Sequence, residues 1–213
     1  LAAVVSNVES ITLRQSGNAG VSFDGANVTG MTSLTFDQIS EDTAVTAQVA
    51  TNLASGVALG ISNKTSDDAD TFSFTYADTA LAGATDTVTL NVTTILAANS
   101  TGAVTIKNTT ANTADAGAET VSIVTSGTGA AAASVLASLV VTTADGTTES
   151  MNTLNISGTA DLTITGTLDF EGTAGGTINA STMTGNLTVT STTEATTFTG
   201  GAGNDTIILG ASN

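Results

Sequence analysis

Gly200 to Ile208 read GGAGNDTII, a stretch whose residue types and spacing suit one kind of chemistry. Gly200, Gly201, Gly203, Asp205 and the apolar Ile207 fill every specified position of the nine-residue pattern G-G-x-G-x-D-x-U-x. Glycines permit the positive φ values of a tight turn whose carbonyl oxygens converge, with Asn204 in the same turn. Asp205 adds a hard carboxylate oxygen, and TII then starts a strand with Ile207 pointing into the fold. Oxygen-only donors of this kind favour Ca²⁺, so Gly200, Gly201, Gly203, Asn204 and Asp205 are the candidate calcium ligands. In such a roll the ion sits between adjacent turns, so one copy supplies half a site. The following LGASN (Leu209–Asn213) departs from the pattern. The alternative is a glycine-rich loop without an ion, because Asn-Asp and Gly-Gly pairs are ordinary turn formers.

Two other acidic groups are weaker candidates for the same ion. Asp67, Asp68 and Asp70 crowd SDDADTF, where like charges repel unless a cation bridges them. A solvated, Asp-rich turn explains that stretch better, and the glycine and distal Glu of an EF-hand are missing. Asp169 and Glu171 fall on one face of a strand in LDFEG, a spacing that also evokes the paired carboxylates of glycosidases. With aromatic residues at 3% there is little to stack a sugar, so a non-enzymatic protein is expected. GTAGGT (Gly172–Thr177) lacks the lysine of a phosphate-binding loop.

Composition narrows the rest. There is no Cys and no His, which removes the soft-metal ligands together with Ser-His-Asp and Cys-His catalysis. Three basic residues, Arg14, Lys64 and Lys107, face 19 acidic ones, for a formal charge of −16. Such a surface repels nucleic acid and anionic lipid and attracts divalent cations. At 40% apolar content a core is within reach, and the acids are dispersed rather than gathered into a tail, so a folded chain is expected. The most apolar run, Ala130 to Val141, is too short to span a membrane. The start at Leu1, without a signal-peptide pattern, reads as a piece of a longer protein.

The elements that must position these residues read as strands. DTVTLNV, GAVTIK, ETVSIV, NTLNIS, DLTITG and NLTVTS alternate polar and apolar residues between Gly, Asn and Asp. Leu90, Ile123, Ile156 and Val189 occupy the same slot of a recurring motif at intervals of 33, with Ile106 and Val140 about halfway between copies. A period of that size predicts a solenoid, in which each coil buries its face on the next. NVESITL and GMTSLTF, 23 residues apart, repeat the motif of SMNTLNI (Ser150–Ile156) at the other end. DTFSFTY (Asp70–Tyr76) is expected to pack or to cap an end. Alanine content predicts short helices within Ala44–Leu59 and Ala130–Leu139.

The fold expected is all-β, a right-handed parallel β-solenoid with irregular coils; the alternative is β-sandwich domains in tandem. Residues 1–80 would form irregular coils, 81–199 the regular repeats, and 200–213 the start of a calcium-binding roll.

GGAGNDTII, NVESITL and SMNTLNISGTADLTITG, on an acidic, Cys-free, Thr/Ala/Gly-rich chain, resemble the RTX-type surface-layer proteins that Gram-negative bacteria export by type I secretion. The resemblance implies a structural subunit region, secreted to the cell surface, that binds calcium and tiles with identical subunits into a two-dimensional lattice. The alternative function is a stalk or adhesin segment recognising carbohydrate or a host surface. No nucleic-acid partner or membrane insertion is expected, and attachment to the cell would use another region.

Overall fold

The structure is a computed structural model that describes residues 4–15, 19–39, 45–64, 69–95, 101–109, 116–127, 133–145, 149–168, 170–172, 175–191 and 196–209. Among them lie eighteen strands, one short 3₁₀ turn and no α-helix. Alternation explains the strands. In β9 (Thr87–Ile95), Val88, Leu90 and Val92 are buried, while the intervening Thr87, Thr89 and Asn91 face outward.

A short ribbon of β1 (Val5–Ser6) and β4 (Val28–Thr29) precedes two long sheets. The first sheet stacks β2 (Ser10–Leu13), β5 (Ser33–Asp37), β7 (Ala58–Lys64), β9, β11 (Thr120–Ser126), β13 (Thr153–Gly158), β15 (Thr177–Met183) and β17 (Thr197–Thr199). The second stacks β3 (Ser22–Asp24), β6 (Ala47–Leu53), β8 (Thr71–Tyr76), β10 (Thr101–Asn108), β12 (Ser134–Thr142), β14 (Leu162–Leu168), β16 (Leu187–Ser191) and β18 (Thr206–Ile208). Within both sheets every pairing is parallel, and the chain alternates between them. This is a parallel β-solenoid. The sandwich alternative fails because hairpin-linked sandwiches are antiparallel.

Register explains which part of the repeat was readable. Leu90 pairs with Ile123, and Ile123 with Ile156, so those 33-residue steps are single coils of the first sheet. Ser10 pairs with Ser33, which makes the 23-residue step between NVESITL and GMTSLTF one coil as well. Val189 breaks the series. It lies in the second sheet, paired with Ile164 and Ile207, because the coils shorten after Ile156 and bring the chain round early. Thr153 pairs with Thr177 and Thr177 with Thr197, steps of 24 and 20 residues. Pairing crosses residue 80 without a break, since β7 joins β9 and β8 joins β10.

Both alanine-rich helix expectations are corrected. Residues 47–53 and 58–59 are strand, and so is Ala130–Leu139 from Ser134 onward. Alanine's helical preference is a weak prior. Burial at alternate positions, such as Gln48 and Ala50 in β6 or Ser134 and Leu136 in β12, prevails over it. DTFSFTY packs inside the stack instead of capping an end. Phe72, Phe74 and Tyr76 are buried, and Phe36 meets Phe72 and Phe74 at centroid distances of 5.9 and 5.5 Å. The Tyr76 hydroxyl donates to the Val57 carbonyl at 2.6 Å, and burial pushes its pKa up.

The corner leaving the first sheet is built from left-handed residues in column. Gln38, Asn63 and Thr94 have φ of 52°, 50° and 54°. Each follows a residue of the in-register set Asp37, Ser62 and Thr93, and Gly127 (φ 133°) follows Ser126, the partner of Thr93.

Candidate metal centre

The last corner, between β17 and β18, carries GGAGND. Its geometry is set by the coil beneath. Thr188 pairs with Thr206 and Val189 with Ile207, an 18-residue step equal to two nine-residue repeats. Ile207 packs against the core, as its place in the pattern predicts. That register lays Asn186 under Asn204 and Gly185 under Gly203, so TGNLTV (Thr184–Val189) underlies AGNDTI (Ala202–Ile207). This partial echo 18 residues upstream was the signal available in the sequence for the coil length.

Asp205 joins two coils. Its Oδ2 accepts the Gly201 N–H at 2.6 Å and its Oδ1 accepts the Leu187 N–H at 3.0 Å. Beside it runs a ladder of side-chain amides and carboxylates. The Asn204 N–H donates to Asn186 Oδ1 at 2.7 Å, and the Asn186 N–H donates to Asp161 Oδ1 at 2.7 Å. The Asn186 Nδ2 also donates to Asp161 Oδ2, at 3.2 Å. Three successive coils are thus tied through one corner.

The glycines serve a purpose other than the one expected. None of Gly200, Gly201 and Gly203 adopts a positive φ. They are required by close approach. A Cβ on Gly201 would lie 2.3 Å from the Met183 carbonyl oxygen and 2.7 Å from that of Ala180. On Gly203 it would lie 2.3 Å from the Gly185 carbonyl oxygen, and on Gly200 2.6 Å from Asp205 Oδ2. The coil beneath therefore lines this corner with main-chain oxygens, which are hard donors. They and the Asp205 carboxylate are hard oxygens of the class that suits Ca²⁺, and the Met183 carbonyl already accepts the Ala202 N–H at 2.9 Å. An ion bound there would compete with two N–H groups for the Asp205 oxygens.

The weaker candidates separate. Asp67, Asp68 and Asp169 lie outside the described residues. Asp70 is fully buried. Its Oδ1 accepts from the Thr46 N–H and hydroxyl, both at 2.8 Å, and its Oδ2 lies 3.6 Å from the buried Lys64 Nζ. The Thr46 hydroxyl in turn accepts from Gln48 Nε2, which also donates to Gln15. Asp70 is thus engaged in an interior polar network. Glu171 is half-buried, and its N–H donates to the Met151 carbonyl. Among the described residues no three acidic side chains converge closely enough to hold a metal.

Charge placement reinforces the acidic exterior. Arg14 pairs with Asp37 at 2.9 Å at the surface, and Lys64 lies beside Asp70 in the interior, so two of the three cations face a carboxylate of this chain. Burial pushes Asp37 up, but hydrogen bonds from Ser62 and Asn63, then Arg14 with its charge, outweigh it and hold the carboxyl below its ordinary value. Among the described residues no helix is long and apolar enough to cross a membrane. Comparison with known protein families, with curated proteins and with solved structures finds no match to this chain, so fold and site rest on their own geometry.

Proposed function

We propose that this chain is a structural, non-enzymatic region of a secreted surface-layer protein, stabilised by Ca²⁺ and self-assembling into a two-dimensional lattice. The carrying observation is the 18-residue last coil built on GGAGNDTII, whose corner gathers Asp205 and main-chain oxygens on an acidic solenoid. Calcium held at Gly200–Asp205 would tie that coil to its neighbour and offset part of the −16 charge.

Thermal unfolding followed by circular dichroism, in millimolar Ca²⁺ and then in excess EDTA, tests the calcium part. At a hundredfold excess over Kd, binding stabilises by about 2.7 kcal/mol, a rise of roughly 5–10 °C for a chain of this size. Asp205→Ala should lower the melting temperature even in EDTA, because the Leu187 and Gly201 N–H groups lose their acceptor. The diagnostic quantity is therefore the calcium-dependent difference, which should shrink in the variant. A wild-type melting temperature unmoved by chelation would refute the calcium part. Electron microscopy of purified protein with and without Ca²⁺ tests assembly; protein that stays monomeric in both would leave the stalk or adhesin reading.

A further inference from the structure

A second corner holds a carboxylate that the calcium reading does not use. Thr87, Thr120 and Thr153 pair in successive coils of the first sheet, which puts Asp86, Glu119 and Asn152 in one column just before their strands. Glu119 is the node of that column. Its Oε2 accepts the Asp86 N–H at 2.6 Å, while its carbonyl accepts the N–H groups of Asn152 and Thr153 at 2.9 and 3.0 Å. The residue is only 4% exposed, and its Oε1 has no hydrogen-bond partner among the described residues.

Burial and like-charged neighbours disfavour a charge here, against the backbone N–H groups that favour it. Among the described residues, the charged groups facing Glu119 are the carboxylates of Asp86, from the turn before β9, and of Glu171. Neither described ion pair involves Glu119. A buried carboxylate with one unsatisfied oxygen and two like-charged neighbours is costly, and breaking no hydrogen bond relieves it. A proton on Oε1 removes the charge while leaving Oε2 free to keep the Asp86 N–H.

We propose that Glu119 is a proton-binding latch, at which the three coils carrying β9, β11 and β13 tighten on mild acidification and loosen as pH rises. Burial, aided by repulsion from Asp86 and Glu171, pushes the Glu119 carboxyl above its ordinary value despite the hydrogen bonds that lower it. The folded chain therefore binds this proton more tightly than the unfolded chain does. Stability from the latch is complete below the ordinary glutamate range and is lost as pH climbs through the raised one.

The test is thermal melting of the full chain between about pH 3.5 and about pH 8 in EDTA, running from below an ordinary glutamate value to well above it. Glu119→Gln keeps the shape and removes the charge. It should melt several degrees above wild type at the alkaline end, match it at the acid end, and flatten the pH dependence. Glu171→Gln should flatten it partly. Glu9→Gln, at an exposed position, removes the same charge and should leave the slope unchanged. Carbon-13 NMR titration of the Glu119 carboxyl in wild type gives an independent reading, expected above the other glutamates. A Glu119 carboxyl titrating with the exposed glutamates, or a Glu119→Gln protein less stable than wild type at the alkaline end, would overturn the proposal. So would a Ca²⁺-dependent stabilisation at neutral pH abolished by Glu119→Gln, which would make the seat a cation site.

Discussion

Thr94 holds a left-handed conformation, φ 54°, that a β-branched residue adopts only under constraint. Its equivalents in the corner column are Gln38, Asn63 and Gly127, each better suited to that conformation or indifferent to it. Thr94→Gly should relieve strain of about 1 kcal/mol and raise the melting temperature by a few degrees. Thr94→Val should show no such gain, since it keeps the branch. At the same scale, Asp37 and Glu119 respond to pH in opposite senses. Hydrogen bonds and Arg14 hold Asp37 below its ordinary value, so its contribution is present above the ordinary aspartate range and is lost as pH falls. Asp37→Asn should therefore lose stability near neutrality and approach wild type as the pH is taken below the ordinary aspartate value and on through Asp37's lowered one. A constant gap across that range would remove Asp37 from the account.

At the scale of the element, the corners govern what may stand in them. Gly158 ends β13 at φ +117°, with the Thr125 carbonyl oxygen 2.0 Å from where a Cβ would sit. Gly158→Ala should cost about 1–3 kcal/mol through strain and displacement of the neighbouring coil, read as a fall in the denaturation midpoint. In the middle of the first sheet, Ile123 stacks between Leu90 and Ile156, and Ile123→Ala should cost about 2–5 kcal/mol. These strands were legible in the sequence because one face is buried: VTLNV and TVSIV alternate, and their period of 33 places them in register. Coil length elsewhere was not legible, because it is set by how far each corner reaches before the chain can pair again. Val189 kept the interval and changed sheets. The glycines of GGAGND were legible as a motif, but the reason for them was not. Their constraint is a carbonyl of another coil, Met183 or Gly185, which the nine-residue motif does not itself contain. Glu119 went unnoticed for the same reason, since its burial depends on Asp86 and Glu171 from other coils.

At the scale of the molecule, the two sheets make a stack in which each coil contacts chiefly its neighbours, so stability is close to a sum of coil and interface terms. The sum is uneven. The middle coils carry nine-residue strands, β9 in one sheet and β12 in the other, whereas β17 and β18 have three residues each. Hydrogen exchange should follow this gradient, with amides of β11 and β13 protected longest and those of β18 exchanging first in EDTA. Ca²⁺ should slow exchange in β16 and β18 far more than in β11; uniform slowing would mean that the ion acts on the whole molecule instead of its last corner.

The stepwise shortening of the coils has a mechanical consequence. A solenoid of uniform coils, pulled at one end, yields wherever a fluctuation happens to open it. This one is graded, so tension applied beyond β18 falls first on the coil with the fewest backbone bonds to the next. It should peel from that end one coil at a time at rising force, with the aromatic-filled coils around Phe36 and Phe74 still closed. Each step would release a length set by its own coil, short at first and longer toward the middle, so the order of rupture could be read from the increments alone.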